Sequence, residues 1–447
     1  MRRLDVSLRT PRSFVAIWGR PRVGKSRVLI EWGRRNSALY TVADQSSAAI
    51  QRHYFASAIG TRVVGFEDVE YPNWQTLFDR LDHESAGLDW HGPLIIDEFP
   101  YLIAADAEFL ATLQKWLDSP SRRSSVIVSG SSIRVMKNAL LNQDSPLYGR
   151  TTEAFPLGPL RPGHLTEVFP NKSHRELVST YAVFGSIPHY LELSEPYSEN
   201  LVDAVDTLIL DPKGPLHREP DRILEQEIPN ATSLRPILDA IGNGAHKVSE
   251  IAGSLVRQAS GLAAPLAALM EMDLIRRETP FGSDPKSGKR SLYQISDPFL
   301  RFWFRVVAPN RSLLASAPRE ARLLCWERHR SQLETYAWEE LSRMATPHLH
   351  RVLPELAERG PFSVAQRYWY RNDHELDLVA RSLSGPEILL GEAKWRISEQ
   401  DRIGEGIRIG SLPIGQAPVI PLVFTPDAHN ETSENVVDAR MVLEALR

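Results

Sequence analysis

The stretch Gly19-Arg20-Pro21-Arg22-Val23-Gly24-Lys25-Ser26 constrains the fold more than any other part of the chain. It stands between the apolar run Phe14–Trp18 and a helical pattern over residues 26–35. The glycines let backbone N–H groups curl around phosphates, the lysine reaches the β and γ phosphates, and the serine binds Mg²⁺. We therefore predict a strand, a phosphate-binding loop and a helix, with ATP or GTP held by Gly19, Arg22, Val23, Gly24, Lys25 and Ser26.

A pair of carboxylates follows a later strand of the same region. Residues 12–160 alternate β-rich runs with helical patterns, which is typical of a parallel sheet covered by helices. The strand-like run at 93–98 ends in Asp97 and Glu98. Because ligands lie at the carboxyl ends of parallel strands, Asp97 is predicted to hold Mg²⁺ beside Ser26. Glu98 is the candidate to orient and polarise the attacking water.

Two further residues are candidate phosphate contacts. Ser131 follows the predicted strand at 125–129, where a small polar side chain can sense the γ phosphate. Arg150 could reach a phosphate in cis, or across a subunit interface in a homo-oligomer. The alternative for Arg150 is an ordinary loop ion pair with Asp144 or Glu153.

Composition indicates a globular protein of several domains. The 447 residues, of which 42% are hydrophobic, suggest about three domains. Near the N-terminus the longest apolar run, Phe14–Trp18, is too short for a signal peptide or a membrane helix, so we expect a cytoplasmic protein without a membrane partner. The formal net charge of −4 means that nucleic-acid binding would require local basic patches.

Residues 161–228 are helical in pattern and are interrupted by several prolines. After them the pattern becomes that of a helix-turn-helix with a β-hairpin, which predicts a winged helix. The predicted helices and strand-like runs are 233–241, 248–255, 260–272, 274–278 and 292–295.

The predicted winged helix has two features suited to DNA. The loop between its strands has a basic tip that could grip phosphates, formed by Lys286, Lys289 and Arg290. The face around Arg257, Gln258 and Ser260 could enter a groove. The second helix, however, is poor in base-reading side chains and carries Pro265 in its interior. An intramolecular hinge or docking role therefore remains the alternative to DNA contact.

The last third of the chain carries acidic residues in strand patterns. Because side chains alternate along a strand, Glu375 and Asp377 share one face, and Glu392 and Lys394 share a face of the next strand. A hairpin would gather all four. Two carboxylates can hold Mg²⁺, and a lysine two residues on can orient or deprotonate a water that attacks a phosphodiester. The alternative is a hairpin with ordinary cross-strand ion pairs.

Taken together, these motifs resemble the archaeal-type ATPases of the STAND branch of the AAA+ superfamily. Pro21 and Ser26 stand where that family usually has arginine and threonine. The segments that carry the resemblance are 19–26, 95–102, 129–132, 145–150, 184–191 and 295–305. The resemblance implies an α/β fold with a P-loop ATPase core (1–160), a helical lid (161–228), a winged helix (229–310) and a restriction-endonuclease-like domain (311–447).

The C-terminal motif is similar to the PD-(D/E)xK nuclease core that accompanies this ATPase family. On that resemblance Asp377, Glu392 and Lys394 match the motif, with Mg²⁺ held by the two acids. A helix predicted over residues 322–343 supplies the preceding glutamate, which is Glu339, or Glu340 if the register differs by one. The resemblance implies an ATP-dependent switch that controls a Mg²⁺-dependent DNA nuclease. The alternatives are a nucleotide-regulated DNA- or protein-binding scaffold without cleavage, and an ATP-driven remodelling enzyme.

Overall fold

Apolar side chains gather into separate clusters in the first 159 residues and in the rest of the chain. The structure is a computed structural model that describes residues 1–227, 234–284, 290–370, 374–396, 414–427 and 435–447. These residues form two units, 1–159 and 160–447. Among the described helices, none combines the length and the apolar content needed to cross a membrane.

A five-stranded parallel sheet forms the centre of the first unit, which confirms the predicted α/β architecture there. Its strand order is β2-β3-β4-β1-β5. The strands are β1 Phe14–Trp18, β2 Leu39–Val42, β3 Leu94–Asp97, β4 Val126–Gly130 and β5 Glu153–Pro156. The sequence patterns missed β5, because Glu-Ala-Phe-Pro contains only one buried residue and ends in proline.

Helices cover both faces of this sheet because alternate strand residues are apolar on both sides. Phe14, Ala16 and Trp18 belong to one apolar cluster, whereas Val15 and Ile17 belong to the other. The second cluster includes Leu29 and Trp32 of the helix that follows the loop. The helices are α1 Arg2–Ser7, α2 Lys25–Arg35, α3 Ala48–Gly60, α4 Trp74–Gly87, α5 Pro100–Ala105, α6 Phe109–Asp118 and α7 Ile133–Leu141.

The second unit begins with short helices, as the sequence predicts for residues 161–228. They are α8 Leu165–Val168, α9 His174–Phe184, α10 Pro188–Ser194, α11 Leu201–Val205 and α12 Glu219–Glu227. Three more helices, an antiparallel hairpin and a fourth helix follow among the described residues of 234–310, which we call the helix-hairpin module (residues 234–310). Its elements are α13 Arg235–Gly242, α14 Val248–Ser254, α15 Ala263–Glu271, β6 Ile275–Glu278, β7 Leu292–Ile295 and α16 Pro298–Phe302.

The position of Pro265 corrects one expectation from the sequence. The predicted helix over residues 260–272 is divided into a 3₁₀ turn, Ala259–Leu262, and α15, which begins at Ala263. Pro265 is therefore the third residue of α15 and lies in its first turn. No intrahelical hydrogen bond is lost there, because the first N–H groups of a helix have no partner within it.

The rest of the second unit packs one long helix against a second sheet. The helices are α17 Arg311–Leu314, α18 Arg319–Ala345 and α19 Ala439–Ala445. The strands are β8 Gln366–Tyr370, β9 His374–Arg381, β10 Ile388–Ala393, β11 Val419–Phe424 and β12 Val436–Val437. The order is β12-β11-β10-β9-β8, with β8, β9 and β10 antiparallel and β10, β11 and β12 parallel. The indole of Trp338 on α18 donates a hydrogen bond to the carbonyl of Phe424, 3.1 Å away, which joins helix and sheet.

A buried ion cluster joins α18 to the helix-hairpin module. Glu340 of α18 accepts hydrogen bonds from Arg276 of β6 and from Arg301 of α16, the latter at 3.1 Å. Arg276 also donates to the hydroxyl of Tyr336 at 3.0 Å. Burial alone would raise the pKa of Glu340, but the Arg301 and Arg276 charges outweigh it and lower the pKa to about 2. Glu340 therefore stays ionised at neutral pH.

We predict that Glu340→Ala strongly destabilises the second unit. The substitution leaves two guanidinium groups without their shared carboxylate, and breaking a buried pair in this way costs about 3–5 kcal/mol. Urea denaturation followed by circular dichroism measures the loss. The matched control is Glu358→Ala at an exposed position, which should stay within about 0.5 kcal/mol of wild type. A loss below about 1 kcal/mol for Glu340→Ala would contradict the cluster's role.

Candidate functional sites

The loop between β1 and α2 has the backbone shape that its glycines suggest. Gly24 is the N-cap of α2 and has a φ of 92°, and Arg22 also has a positive φ of 73°. A Cβ on Gly19 would lie 2.1 Å from the carbonyl oxygen of Leu157, so only glycine fits there. Val23, within the loop, has a buried side chain. The loop is thus held tightly curled at the start of a helix, where backbone N–H groups favour an anion.

Lys25 lies inside this loop. Its side chain is buried, and its ammonium donates hydrogen bonds to the carbonyl oxygens of Gly19 at 2.8 Å and Arg20 at 3.1 Å. The positive charge is therefore already at the loop before any ligand is present.

Asp97 and Ser26 meet at Tyr40, a residue that the sequence patterns did not indicate. Asp97 is the last residue of β3 and is buried. Its carboxylate accepts hydrogen bonds from the Tyr40 hydroxyl at 2.7 Å, from the Ser129 hydroxyl, and from the backbone N–H of Glu98 at 3.0 Å. Tyr40 is also hydrogen-bonded to Ser26, and burial together with the Asp97 charge raises the pKa of its phenol. The two predicted Mg²⁺ ligands, Ser26 and Asp97, are thus both hydrogen-bonded to the Tyr40 hydroxyl.

Glu98 and Ser131, which the sequence assigned separate roles, contact each other. The backbone N–H of Ser131 donates to Glu98 at 3.2 Å, and the Ser131 hydroxyl donates to the same carboxylate. Glu98 has a positive φ of 54°, an uncommon conformation for a residue other than glycine. Such strained residues occur often at functional sites.

Arg150 forms an ion pair with a partner that the sequence did not suggest. Its guanidinium contacts the carboxylate of Asp118 at 2.9 Å and donates to the carbonyl of Pro146 at 2.8 Å. The alternative prediction, an ion pair of Arg150 with Asp144 or Glu153, is therefore wrong. Glu153 instead accepts hydrogen bonds from Arg3 and Ser7. Asp118 ends α6, 32 residues earlier in the chain, which local pattern cannot reveal.

A second group of predicted residues meets on the C-terminal sheet. β9 and β10 are antiparallel and their paired residues end with Leu378 opposite Gly391, so Asp377 and Glu392 are the next residues along the two strands. The Asp377 carboxylate accepts a hydrogen bond from the backbone N–H of Ala393 at 2.9 Å. The Lys394 ammonium lies 3.7 Å from the Glu392 carboxylate. The hairpin thus gathers Asp377, Glu392 and Lys394.

Glu375, which the alternation places on the same face as Asp377, has a different partner. Its side chain is 55% exposed and forms an ion pair with Arg367 of β8. It remains an electrostatic neighbour, because its charge contributes to a raised pKa at Asp377, for which burial is the main cause.

The helix glutamate beside this site is Glu339 rather than Glu340. Burial and then the charge of Asp377 raise the pKa of Glu339 to about 7. Arg343, one turn later, lies 3.6 Å from it. Glu340 instead points to Arg276 and Arg301 in the buried ion cluster. The two neighbouring glutamates thus face different surroundings.

Carboxylates are the ligands that a hard cation such as Mg²⁺ prefers, but these carboxylates do not form a complete set of metal ligands. Within the described ranges, no three His, Cys, Asp or Glu side chains are grouped closely enough to hold a metal ion. Mg²⁺ needs fewer protein ligands, since it commonly keeps several waters and uses one or two carboxylates. The repulsion between Glu339 and Asp377 is also what a bound cation would relieve. The residues therefore fit Mg²⁺ held by Asp377 and Glu392.

The predicted DNA-binding features of the helix-hairpin module are only partly within the described structure. Lys286 and Lys289 lie outside the described residues. Arg257, Gln258 and Ser260 are exposed, so their face is open to a ligand. Arg290 is exposed as well, at the end of the connection between β6 and β7.

Comparisons with known proteins agree with this fold. The family model DUF234, described as "Archaea bacterial proteins of unknown function", matches residues 303–404. A protein of Methanocaldococcus jannaschii, "Uncharacterized protein MJECL04", is 28% identical over 391 residues, which is 86% of this chain and 83% of that protein.

Among solved structures, the Walker-type ATPase PABY2304 of Pyrococcus abyssi is similar with a TM-score of 0.54. The identity is 20%, and the match covers 68% of this chain and 94% of that one. The ORC2 protein of Aeropyrum pernix is similar with a TM-score of 0.41 at 12% identity, over 72% of this chain and 88% of that one. The first likeness shows that the chain shares the fold of a Walker-type ATPase, as the P-loop and the parallel sheet predict.

We predict a pH-dependent stability difference between wild type and Glu339→Gln. Because the pKa of Glu339 is raised from 4.5 to about 7, its ionisation opposes folding as the pH rises through that range. Glutamine avoids this loss, so the variant should gain about 2 kcal/mol relative to wild type between pH 5 and pH 8. Urea denaturation in EDTA at both pH values measures the difference. Glu358→Gln serves as the exposed control, and an equal difference at both pH values for Glu339→Gln would contradict the prediction.

Proposed function

We propose that the first unit binds ATP with Mg²⁺ and hydrolyses it. The observation that carries this proposal is the meeting of Ser26 and Asp97 at one phenol, beside a loop that already contains the Lys25 ammonium. Ser26 and Asp97 would hold the metal, which when bound neutralises charge on the β and γ phosphates. Lys25 and the loop N–H groups would bind the phosphates.

The remaining residues of this site have separate roles in the proposal. Glu98 would orient and polarise the attacking water, and Ser131, hydrogen-bonded to it, would report the γ phosphate. Arg150 is paired with Asp118 in a partly exposed ion pair of the kind that is worth little. It can therefore exchange that partner for a phosphate, in cis or in a homo-oligomer, at low cost.

We predict that Lys25→Ala abolishes ATP binding. Removing the ammonium from the loop leaves the phosphate charge without its main counter-charge, so the affinity should fall by on the order of 100-fold or more. Isothermal titration calorimetry with ATP and Mg²⁺ measures the loss. Lys115→Ala on α6, an exposed lysine of the same unit, is the matched control and should bind as wild type does. Wild-type affinity in Lys25→Ala would exclude the assigned site.

We further infer that the C-terminal sheet holds a Mg²⁺-dependent DNA nuclease site under nucleotide control, as in a STAND-type switch. The supporting observation is that Asp377, Glu392 and Lys394 meet on the β9–β10 hairpin with Glu339 beside them. Asp377 and Glu392 would hold the cation, which when bound polarises the phosphodiester. Lys394 would orient the attacking water, and Glu339 would share protons with the site at neutral pH.

We predict that Asp377→Ala and Lys394→Ala each abolish DNA cleavage. Loss of a metal ligand or of a group that positions water lowers such rates by about 10²–10⁴-fold. Cleavage of plasmid, linear and single-stranded DNA, and of RNA, is measured with Mg²⁺ or Mn²⁺, with and without ATP. Glu444→Ala, an exposed carboxylate on α19, is the control and should cleave as wild type does. Cleavage that persists unchanged in Asp377→Ala would exclude this site.

A second candidate function is a nucleotide-regulated scaffold that binds DNA without cutting it. It is favoured by one observation, namely that Arg257, Gln258 and Ser260 form an exposed face of the helix-hairpin module. The exposed face around Arg257 and Gln258 would then be the main DNA contact of a winged helix. DNA binding without cleavage across all the substrates above, in the presence of either metal, would favour this function over the nuclease.

A further inference from the structure

A cleft of about 1110 Å³ opens in the second unit between the helix-hairpin module, α18 and the edge of the C-terminal sheet. Its walls are mainly polar and include Lys247, Gln294, Thr335, Glu339, Trp369 and Glu375. The proposed functions above do not use this space, apart from Glu339. A cleft this large and polar is shaped for an extended polar ligand rather than a small apolar one.

One end of the cleft leads to the proposed nuclease site. Glu339 lines the cleft and is an electrostatic neighbour of Asp377. Glu375 also lines it and lies two residues before Asp377 on β9. A ligand in the cleft would therefore lie beside the strand that carries Asp377.

Positive charge lies on α18 beyond the Ser331 edge of the cleft, since Arg328 is exposed and precedes Ser331 by one helical turn. Arg328, Ser331, Thr335 and Glu339 recur at three- and four-residue spacing, so they form one stripe along α18 about 16 Å long. At this end of the stripe Arg305 donates a hydrogen bond to the side-chain oxygen of Gln332, 3.2 Å away, and Gln332 lines the cleft. Arg305 and Arg328 thus provide cations at one end of the stripe, and carboxylates lie at the other. This polarity matches a strand whose phosphates approach along the basic end and whose scissile bond meets the acids.

Trp369 supplies an aromatic surface in the wall of the cleft. It lies on β8 opposite Glu375 of β9, and its side chain is only partly buried. The guanidinium carbon of Arg367 lies 5.8 Å from the centre of its ring. A partly exposed indole beside cations is the arrangement on which unpaired bases stack.

The size of the cleft favours one strand over two. A cube with a volume of 1110 Å³ has an edge of about 10 Å. The major groove of a DNA duplex alone is about 12 Å wide, so a whole duplex does not fit between these walls. A single strand with its bases turned to one side does.

We propose that this cleft binds a single strand of DNA, with a base stacked on Trp369 and backbone phosphates near Lys247 and Arg328. The inference rests on the proposed nuclease function and deepens it, since it makes unpaired DNA the substrate of the Asp377 site. Lys247 is available for a phosphate because its ion pair with Glu250 is exposed on both sides and is therefore weak.

The test measures binding in EDTA with the full-length protein, so that cleavage plays no part. Fluorescence anisotropy compares a labelled oligothymidine of about 20 nucleotides, longer than one typical single-strand site, with a duplex of equal length. We expect the single strand to bind at least 10-fold more tightly. Trp369→Ala should weaken its binding about 10-fold, which corresponds to about 1.4 kcal/mol, whereas Trp369→Phe should keep most of the affinity. Arg328→Ala should lower the slope of log affinity against log salt by about 0.7.

Matched controls are an exposed aromatic residue and an exposed arginine elsewhere, in Tyr54→Ala and Arg440→Ala, which should bind as wild type does. If Trp369→Ala fails to fold, as thermal melting would reveal, Trp369→Phe and Arg328→Ala still decide the question. Equal or tighter binding of the duplex, or an unchanged affinity in Trp369→Ala, would overturn the proposal.

The two proposals fail in different ways. Cleavage that needs Asp377 but is indifferent to Trp369 leaves the nuclease standing and removes the single-strand cleft. Strand binding that needs Trp369, in a protein that cuts nothing, keeps the cleft and removes the nuclease.

Discussion

The shared carboxylate of Glu340 is the interaction on which the second unit depends. It joins β6 and α16 of the helix-hairpin module to the C-terminal part of α18 through two guanidinium groups. Desolvating ions costs several kcal/mol for each, and the attraction offsets that cost only when the geometry is complete. A partly formed cluster would therefore make the folded state less stable than no cluster at all. The orientation of α18, and with it the side on which Glu339 meets the C-terminal sheet, is therefore set by charges outside that sheet.

The residues of the P-loop and of the strand end at Asp97 could be predicted from local sequence, because each of these two motifs is one continuous stretch of the chain. Gly19, Lys25 and Ser26 lie within one loop and helix start, and Asp97 ends an apolar run. Tyr40 could not be predicted, since its contact with Asp97 spans 57 residues. Its position follows from the pairing of β2 with β3, which a strand of only four residues does not specify by itself.

At the C-terminal site, alternation along the strands was enough to gather Asp377, Glu392 and Lys394, because an antiparallel hairpin needs only a register. The choice between Glu339 and Glu340 was beyond the sequence, since neighbouring helix residues differ by about 100° in direction and both directions lead to buried surroundings. The decisive partner, Arg276, stands 64 residues earlier. The cleft could not be predicted from the sequence either, because its walls come from three segments that are separate in the chain.

The two neighbouring glutamates, Glu339 and Glu340, require α18 to keep its rotation about the helix axis as well as its length. Glu340 is ionised with a pKa of about 2, and Glu339, the residue before it, has a pKa of about 7. Deleting or inserting one residue ahead of them would rotate the pair by about 100° relative to the part of the helix that precedes the change. The side chain that belongs among arginines would then turn towards other acids. A substitution on this helix changes the contacts of one side chain, whereas a change in residue count would displace both glutamates from their partners at once.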